Sequence, residues 1–509
     1  MKKPSTQKKK NTSPKNNQQF DFVSALFKTF PRAECYLVGG AVRDMLLSRP
    51  TKDYDFVVRN VPITTLQKFL KQYGTVRLVG KKFGVLKFKD YDIALPRTEH
   101  SIANTGHYRD FKIKTDHRLP IEDDLSRRDF TVNALAIDLK TNAVIDPFGG
   151  IGDIKKKIIR TVGKPNDRFR EDYSRMLRAV RFSCQLGFRI EDDTLSAIKK
   201  NIKHLNDEIA PDQRLTKKID RNTMRVVPYE VIASEMVKTF SAHPVCALDL
   251  YDDYGIFKLF IPDLLAMKAC PQEKRWHSEG DVWTHTRRAL RSLSSTSFAK
   301  EFGGTNTSAL LALAVLFHDI GKPPTLQTPE HDGIDRIRTN GHDRVGAEMV
   351  RRIGERLRLS TAPDFDGDID DLAWLVRFHL LILTTTVDKL RSRTIEKYFY
   401  DNPRRGQLLL RLVFCDSSAS IQGNGMPGLQ AFRAFKKRLV EFEEQHHLTV
   451  RKRALPPPLL NGDDIMHLCK IKPGPRVGEL REALREEQLS GRIKTKHAAR
   501  AWLLSSPDL

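Results

Sequence analysis

No run of apolar residues in this 509-residue chain approaches the roughly 20 needed to cross a bilayer. The start, MKKPSTQKKKNTSPKNNQQF, has no hydrophobic core of the kind a signal peptide carries. The expectation is therefore a cytoplasmic protein without a membrane partner. Cysteine is scarce. Cys35, Cys184, Cys246, Cys270, Cys415 and Cys469 show neither the paired spacing of a zinc site nor the density of a disulfide scaffold, which argues for a reducing compartment. Acidic residues are in deficit, 63 against 87 Lys and Arg, leaving a formal charge of +24 that suits a polyanion such as nucleic acid. Residues 1–20 read as a disordered basic tail, equally compatible with brushing RNA and with solubility alone. Nothing in the composition implies an obligate protein partner. With 40% hydrophobic residues, a chain of this length can bury several cores.

Chemistry-bearing residues begin at CYLVGGAVRDMLL. A short apolar run broken by Gly39 and Gly40, then helical spacing, predicts a strand-to-helix turn whose backbone amides face an anion, with Arg43 in the first helical turn. In the next strand, KDYDFVV, Asp53 and Asp55 are two residues apart and share a face. Two carboxylates side by side repel unless a cation lies between them, although solvated strand-end aspartates are the plain alternative. A third strand, GVLKFKDYDIALPR, carries Asp92 near its end. Three convergent acids suit two magnesium ions, one lowering the pKa of an attacking hydroxyl and one escorting a triphosphate.

Further on, DLSRRDFTVNALA crowds Arg127, Arg128, Asp129 and Asn133 at the start of an apolar segment, where arginines can grip phosphate and Asp129 or Asn133 a ribose. RFREDYSRMLRAVRFSCQLGF reads as one amphipathic helix with Asp172 and Arg175 three residues apart. That pair suits either the edge of a base or an ordinary surface ion pair.

Taken together, LVGGAVRD with DYD, RRDFTVNALA and EDYSRMLRAVRF resemble the class II tRNA nucleotidyltransferases and bacterial poly(A) polymerases, within the polymerase beta-like nucleotidyltransferase superfamily. The resemblance implies an α+β fold: a catalytic head with a mixed sheet, followed by helical neck, body and tail. It implies that Asp53 and Asp55 hold magnesium, with Asp92 as supporting carboxylate. It implies that Gly39, Gly40, Arg43, Arg128, Asp129, Asn133 and Arg178 contact the nucleotide. Asp172 and Arg175 then select CTP or ATP without a template.

From KRWHSEGDVWTHT onward the residue types change. His285, His318 and Asp319 in LAVLFHDIGK, His342, His379 and Asp416 lie in predicted helices. They resemble the ligands of HD-domain metal-dependent phosphohydrolases. The implied core set is His285, His318, Asp319 and Asp416, with His342 and His379 for a second ion; manganese or nickel are candidate metals.

The expected division is a tail (1–20), head (21–160), helical neck and body (161–270), HD domain (271–425) and helical C-terminal tail (426–509), with a proline-marked linker near 450–459. The expected reaction is template-independent addition of CCA to tRNA from CTP and ATP. A-addition beside a separate CC-adding enzyme, and poly(A) tailing, are its rivals within the family; a phosphohydrolase acting on RNA ends is the more distant one. A polar segment between Asp92 and Arg127 is consistent with the flexible loop that A-adding members need.

Overall fold

The computed structural model describes residues 20–51, 53–79, 84–101, 111–208, 225–305, 308–382, 390–446 and 455–505. The basic tail up to residue 19, residues 102–110 of the polar segment and most of the basic run 212–228 lie outside the described residues. The chain forms two compact units, Met1–His243 with Leu250–Leu259, and Pro244–Asp249 with Phe260–Leu509. Among the described residues no helix is long and apolar enough to cross a membrane.

The first unit is mixed α and β. Helix α1 (Asp21–Thr29) precedes strand β1 (Glu34–Val38), helix α2 (Gly40–Leu46), strand β2 (Tyr54–Arg59) and helix α3 (Ile63–Leu70). Strands β3 (Val76–Val79), β4 (Val85–Phe88) and β5 (Tyr91–Ala94) follow. A ribbon of β6 (Arg97–Ser101) and β7 (Phe111–Thr115) and helix α4 (Ile121–Ser126) come next, then β8 (Ala136–Asp138) and β9 (Val144–Ile145). Seven strands form one sheet in the order β3-β4-β5-β2-β1-β8-β9. Cys35, Tyr36, Leu37 and Val38 of β1 are all buried, as a central strand covered on both faces requires. Phe20 and Phe22 at the start of α1 pack edge-on against Phe56, with ring centres 5.0 and 5.3 Å away.

Two local readings of the sequence are corrected. The expected single strand GVLKFKDYDIALPR is a hairpin, β4 antiparallel to β5, turning where Lys89 adopts φ +53°. The turn brings Asp92 into register beside Asp55, because β5 runs parallel to β2. The expected single helix from Arg168 onward is two helices, α5 (Pro165–Glu171) and α6 (Ser174–Leu186). Between them Asp172 is extended, and its Oδ1 accepts hydrogen bonds from the Ser174 amide (2.9 Å) and hydroxyl (2.6 Å). A side chain that takes the amide competes with the helical bond, and the helix restarts.

The second unit is helical. Helices α7 (Val282–Ser292), α8 (Ala309–Phe317), α9 (His342–Leu357), α10 (Ile369–Phe378) and α11 (Pro403–Ala419) bear or border the histidines. α8, ALLALAVLF, is buried along its whole length, as its unbroken apolar sequence demands. Gly321 follows it at a tight crossing, where a Cβ would meet the His342 carbonyl at 2.1 Å and the Gly346 amide at 2.6 Å. Gly321→Ala is expected to destabilise the protein by about 3 kcal/mol, read by thermal denaturation, because only backbone could yield. Farther on, α12 (Gly462–Cys469), α13 (Pro475–Leu489) and α14 (Lys496–Ser505) close on a small core that includes Ile465, Leu484 and Leu503.

Candidate functional site

A cleft of about 640 Å³ opens over the C-terminal end of β1 and the start of β2. Asp53, Asp55 and Asp92 line it together with Gly40, Arg43, Arg128, Asp129 and Asn133. Asp172, Arg175 and Arg178 come from the α5–α6 break and α6. Protein atoms crowd Asp55 while its carboxylate faces the cleft. This desolvation raises its pKa, with Asp92 and Asp53 adding to it and Arg128 opposing. Asp92 is paired with Lys87 on the neighbouring strand at 2.6 Å.

The basic residues are each held by a partner. Arg43 is buried, giving Nη1 to Asn133 Oδ1 (2.5 Å) and Nε to Asp44 (2.9 Å). Asp124, fully buried on α4, accepts from Arg127 Nη2 at 2.8 Å and Arg128 Nη2 at 3.3 Å. Asp129 accepts a fork from Arg178, Nε at 2.8 Å and Nη2 at 2.7 Å, and also bonds Asn133 Nδ2 at 3.2 Å. Burial opposes that charge, but Arg178 and Asn133 outweigh it and hold Asp129 down at about 2. Asp129 therefore orients Arg178. Arg175 Nη1 bonds Glu171 at 2.8 Å, while its Nε stands 4.0 Å from Asp172 Oδ2, so Asp172 and Arg175 lie side by side instead of closing on each other.

The glycine turn differs from expectation. The Gly39 amide donates to the Leu135 carbonyl at 3.1 Å and does not face the cleft. Its contribution is conformational: φ is +75°, and an added Cβ would lie 2.5 Å from Arg128 Nη1. Gly39→Ala is expected to cost about 2 kcal/mol and to displace Arg128. Thermal denaturation measures the cost in stability.

In the second unit the six predicted ligands converge. His285 Nε2 is 3.0 Å from Asp416 Oδ1 and 3.2 Å from His318 Nε2. His342 Nε2 is 3.3 Å from His379 Nε2 and 3.4 Å from Asp319 Oδ1. Asp319 Oδ2 faces the other way, 3.2 Å from His318 Nε2. Among the described residues His277, Glu279 and His285 form one group able to hold an ion, and the predicted ligands form two more, His285, His318 and Asp416, and Asp319, His342 and His379. Asp319 borders both, which the expected four-plus-two grouping did not include.

Hydrogen bonds fix the tautomers. The Nδ1 atoms of His318, His342 and His379 lie 2.8, 2.8 and 2.7 Å from the carbonyls of Val315, Thr339 and Val376. A carbonyl only accepts, so Nδ1 carries the proton and Nε2 of the neutral ring is a lone pair. Burial, together with His342 and His318, drives His379 down to about 3, so it is neutral at any working pH. Neutral His379, its Nδ1 committed to Val376, turns the Nε2 lone pair toward His342 Nε2 3.3 Å away, a pairing that a divalent cation can convert into ligation. The donor set of imidazoles and carboxylates, buried and supported from behind, fits a transition metal.

Residues 35–160 match the family described as Poly A polymerase head domain, and residues 282–412 match the HD domain. A multifunctional CCA protein of Neisseria gonorrhoeae is 31% identical over 408 residues, covering 77% of this chain and 86% of its own. An A-adding tRNA nucleotidyltransferase of Deinococcus radiodurans is 31% identical over 477 residues, covering 92% of this chain and 94% of its own. The chain belongs to the class II CCA-adding nucleotidyltransferase family, with an HD domain. The fold agrees with that membership. The CCA-adding enzyme of Bacillus stearothermophilus in complex with CTP superposes with a TM-score of 0.60 at 22% identity, covering 95% of each chain. That of Thermotoga maritima, complexed with tRNA, gives 0.52 at 18% identity over 95% and 94%.

Several residues of this family member were missed from sequence. Asp124 sits three and four residues before Arg127 and Arg128, a helical spacing that signals it. Arg181 lies over the Phe182 ring at 4.1 Å and pairs with Glu235 at 2.7 Å; no local signal marks Glu235, 54 residues away. Glu279, whose Oε1 is 2.8 Å from Nδ1 of both His277 and His285, stands behind a candidate ligand histidine. Lys322 Nζ lies 2.7 Å from Asp319 Oδ2.

Proposed function

We propose that the first unit adds nucleotides to the 3' end of tRNA from CTP and ATP without a template, completing CCA. The observation that carries this reading is the convergence, in one cleft, of Asp53, Asp55 and Asp92 with Asp172 and Arg175. The 3' oxygen attacks the α-phosphorus, the bond to the β-phosphate breaks, and pyrophosphate leaves. Magnesium bound by Asp53 and Asp55 would supply charge neutralisation and lower the pKa of the attacking hydroxyl. Asp92, tied to Lys87, supports that pair from the neighbouring strand. Arg43 and Arg128, oriented by Asp44, Asn133 and Asp124, meet the triphosphate across the Gly39–Gly40 turn. Asp172 offers acceptors and Arg175 donors to the base edge, while Arg178 is aimed by Asp129. The expected division into tail, head, neck and body, HD domain and C-terminal tail is carried over as part of this reading, as is a cytoplasmic location.

Asp129→Asn is expected to loosen Arg178 and raise KM for CTP and ATP about tenfold, the scale of one charge-assisted hydrogen bond. Steady-state kinetics with the folded variant check it.

A specific observation favours a second reading. The A-adding protein of D. radiodurans matches 92% of this chain, against 77% for the N. gonorrhoeae protein at the same identity. Labelled CTP and ATP, offered separately and together to tRNA ending at the discriminator base, in C or in CC, decide between them. Two cytidines then one adenosine support CCA addition. A single adenosine on the CC end alone makes this an A-adding enzyme, and long adenosine tails on unrelated RNA a poly(A) polymerase.

The HD unit is read as a metal-dependent phosphohydrolase acting on phosphate at RNA 3' ends, preparing ends for the head. Manganese or nickel held by the two ligand groups would supply Lewis-acid activation of water. Lys322 neutralises charge at Asp319, and Glu279 orients His285. Hydrolysis of a nucleoside 2',3'-cyclic phosphate to its monophosphate, with and without manganese, tests it; no ring opening by metal-loaded protein counts against it.

A further inference from the structure

We propose that Trp276 is the base-stacking platform of the HD cleft, so that this cleft takes the terminal nucleotide of an RNA and not phosphate alone. The inference rests in part on the phosphohydrolase reading. A cleft of about 650 Å³, within the range of small-ligand sites, is lined by Trp276, His277, Lys322, Arg338, His342 and Arg377. His342 is one of the candidate metal ligands, so the cleft leads to the ion groups.

Trp276 is 47% exposed, which leaves a large apolar ring in water. Its backbone is nonetheless fixed. The amides of Trp276 and His277 both donate to the Glu273 carbonyl at 3.0 Å. The Gly423 amide donates to the Arg275 carbonyl at 3.0 Å, and the Ser278 amide to the Ile421 carbonyl at 2.7 Å, pinning this turn to the segment that follows Asp416. His277 next to it is held by Glu279, which also supports His285. An exposed aromatic on a turn tied from both sides to the ligand-bearing elements is a preorganised surface. The Arg275 guanidinium lies 5.0 Å from the ring centre, adding a cation to the platform.

Charge alone does not explain the cleft. Lys322 is paired with Asp319, Arg338 with Asp335 and Arg377 with Asp343. Cations already balanced by carboxylates hold a phosphate weakly, so affinity needs a second contact, and a flat ring fits the Trp276 face. Stacking accepts any base, because every base has a π-face.

The test uses the full chain with manganese. Fluorescence of Trp276, taken as wild type minus Trp276→Phe, is followed during titration with adenosine 3'-monophosphate and, separately, ribose 5-phosphate. A saturating quench with the nucleotide and none with the sugar phosphate is expected; no quench with the nucleotide overturns the inference. In turnover, Trp276→Ala is expected to raise KM for adenosine 2',3'-cyclic phosphate about 5- to 100-fold at unchanged kcat, with Trp276→Phe within about threefold of wild type. A base-free riboside 2',3'-cyclic phosphate should show no change. An unchanged nucleotide KM, or an equal rise for the base-free substrate, also overturns it. If wild type does not hydrolyse the cyclic phosphate, the phosphohydrolase reading fails while the fluorescence titration still decides this one.

Discussion

Replacing Asp53 and Asp55 together with alanine is expected to lower nucleotide incorporation by about a thousandfold or more while tRNA still binds. Divalent-ion charge stabilisation of phosphoryl transfer is a contribution of several kcal/mol, and each 1.4 kcal/mol is a factor of ten. The two carboxylates repel phosphate when no ion is bound, so their loss has no reason to weaken RNA binding. Asp92→Ala should be milder, about 10- to 100-fold, because its carboxylate is shared with Lys87 at 2.6 Å and only part of its charge serves the cleft. The order of effects is the informative result: Asp92 as damaging as Asp55 would mean that Lys87 releases it when nucleotide binds. Incorporation of labelled CTP and ATP, beside filter binding of the same tRNA, gives both quantities. Unchanged incorporation in the double variant would place the chemistry elsewhere in the molecule.

The sequence reading went furthest where chemistry and periodicity coincide. Asp53, Asp55, Arg43, Asp129, Asp172 and Arg175 were all named from short motifs, and all line one cleft. Three features resisted it, each for a physical reason. The β4–β5 turn lies inside an alternating apolar pattern with no Gly or Pro at its apex, and Lys89 carries the positive φ instead. The α5–α6 break comes from a hydrogen bond between the Asp172 side chain and the Ser174 amide, which hydrophobic spacing does not register. The position of Asp319 between two candidate ligand groups depends on the packing of α8 against α10 and on the crossing of Gly321 with α9, relations between residues far apart in the chain. Motifs single out the six residues; only tertiary packing gives their grouping.

Asp319→Asn is expected to abolish metal binding at both groups at once, whereas His379→Ala should remove binding at one. In Asp319 one oxygen faces His342 at 3.4 Å and the other faces His318 at 3.2 Å, so a single amide substitution removes charge from both sides. Metal content of the purified protein, measured by atomic absorption, separates the variants, and nucleotide incorporation by the head serves as the unaffected control. The pH dependence follows from His285. Burial opposes its protonation, but hydrogen bonds donated by the ring to Asp416 and Glu279 outweigh burial and raise it to about 9 in the metal-free protein. A metal must displace that proton, so apparent affinity should fall about tenfold per pH unit as pH drops below 9. Stability of the metal-free protein moves the opposite way. The raised pKa contributes stability that is complete below the unfolded value of about 6.5 and is lost as pH rises through 9. Metal therefore stabilises the fold most where the proton stabilises it least. Thermal denaturation with manganese and with chelator, at pH 6.5 and pH 9, should show a larger metal-induced shift at the higher pH; an equal shift at both would mean that His285 is not a ligand.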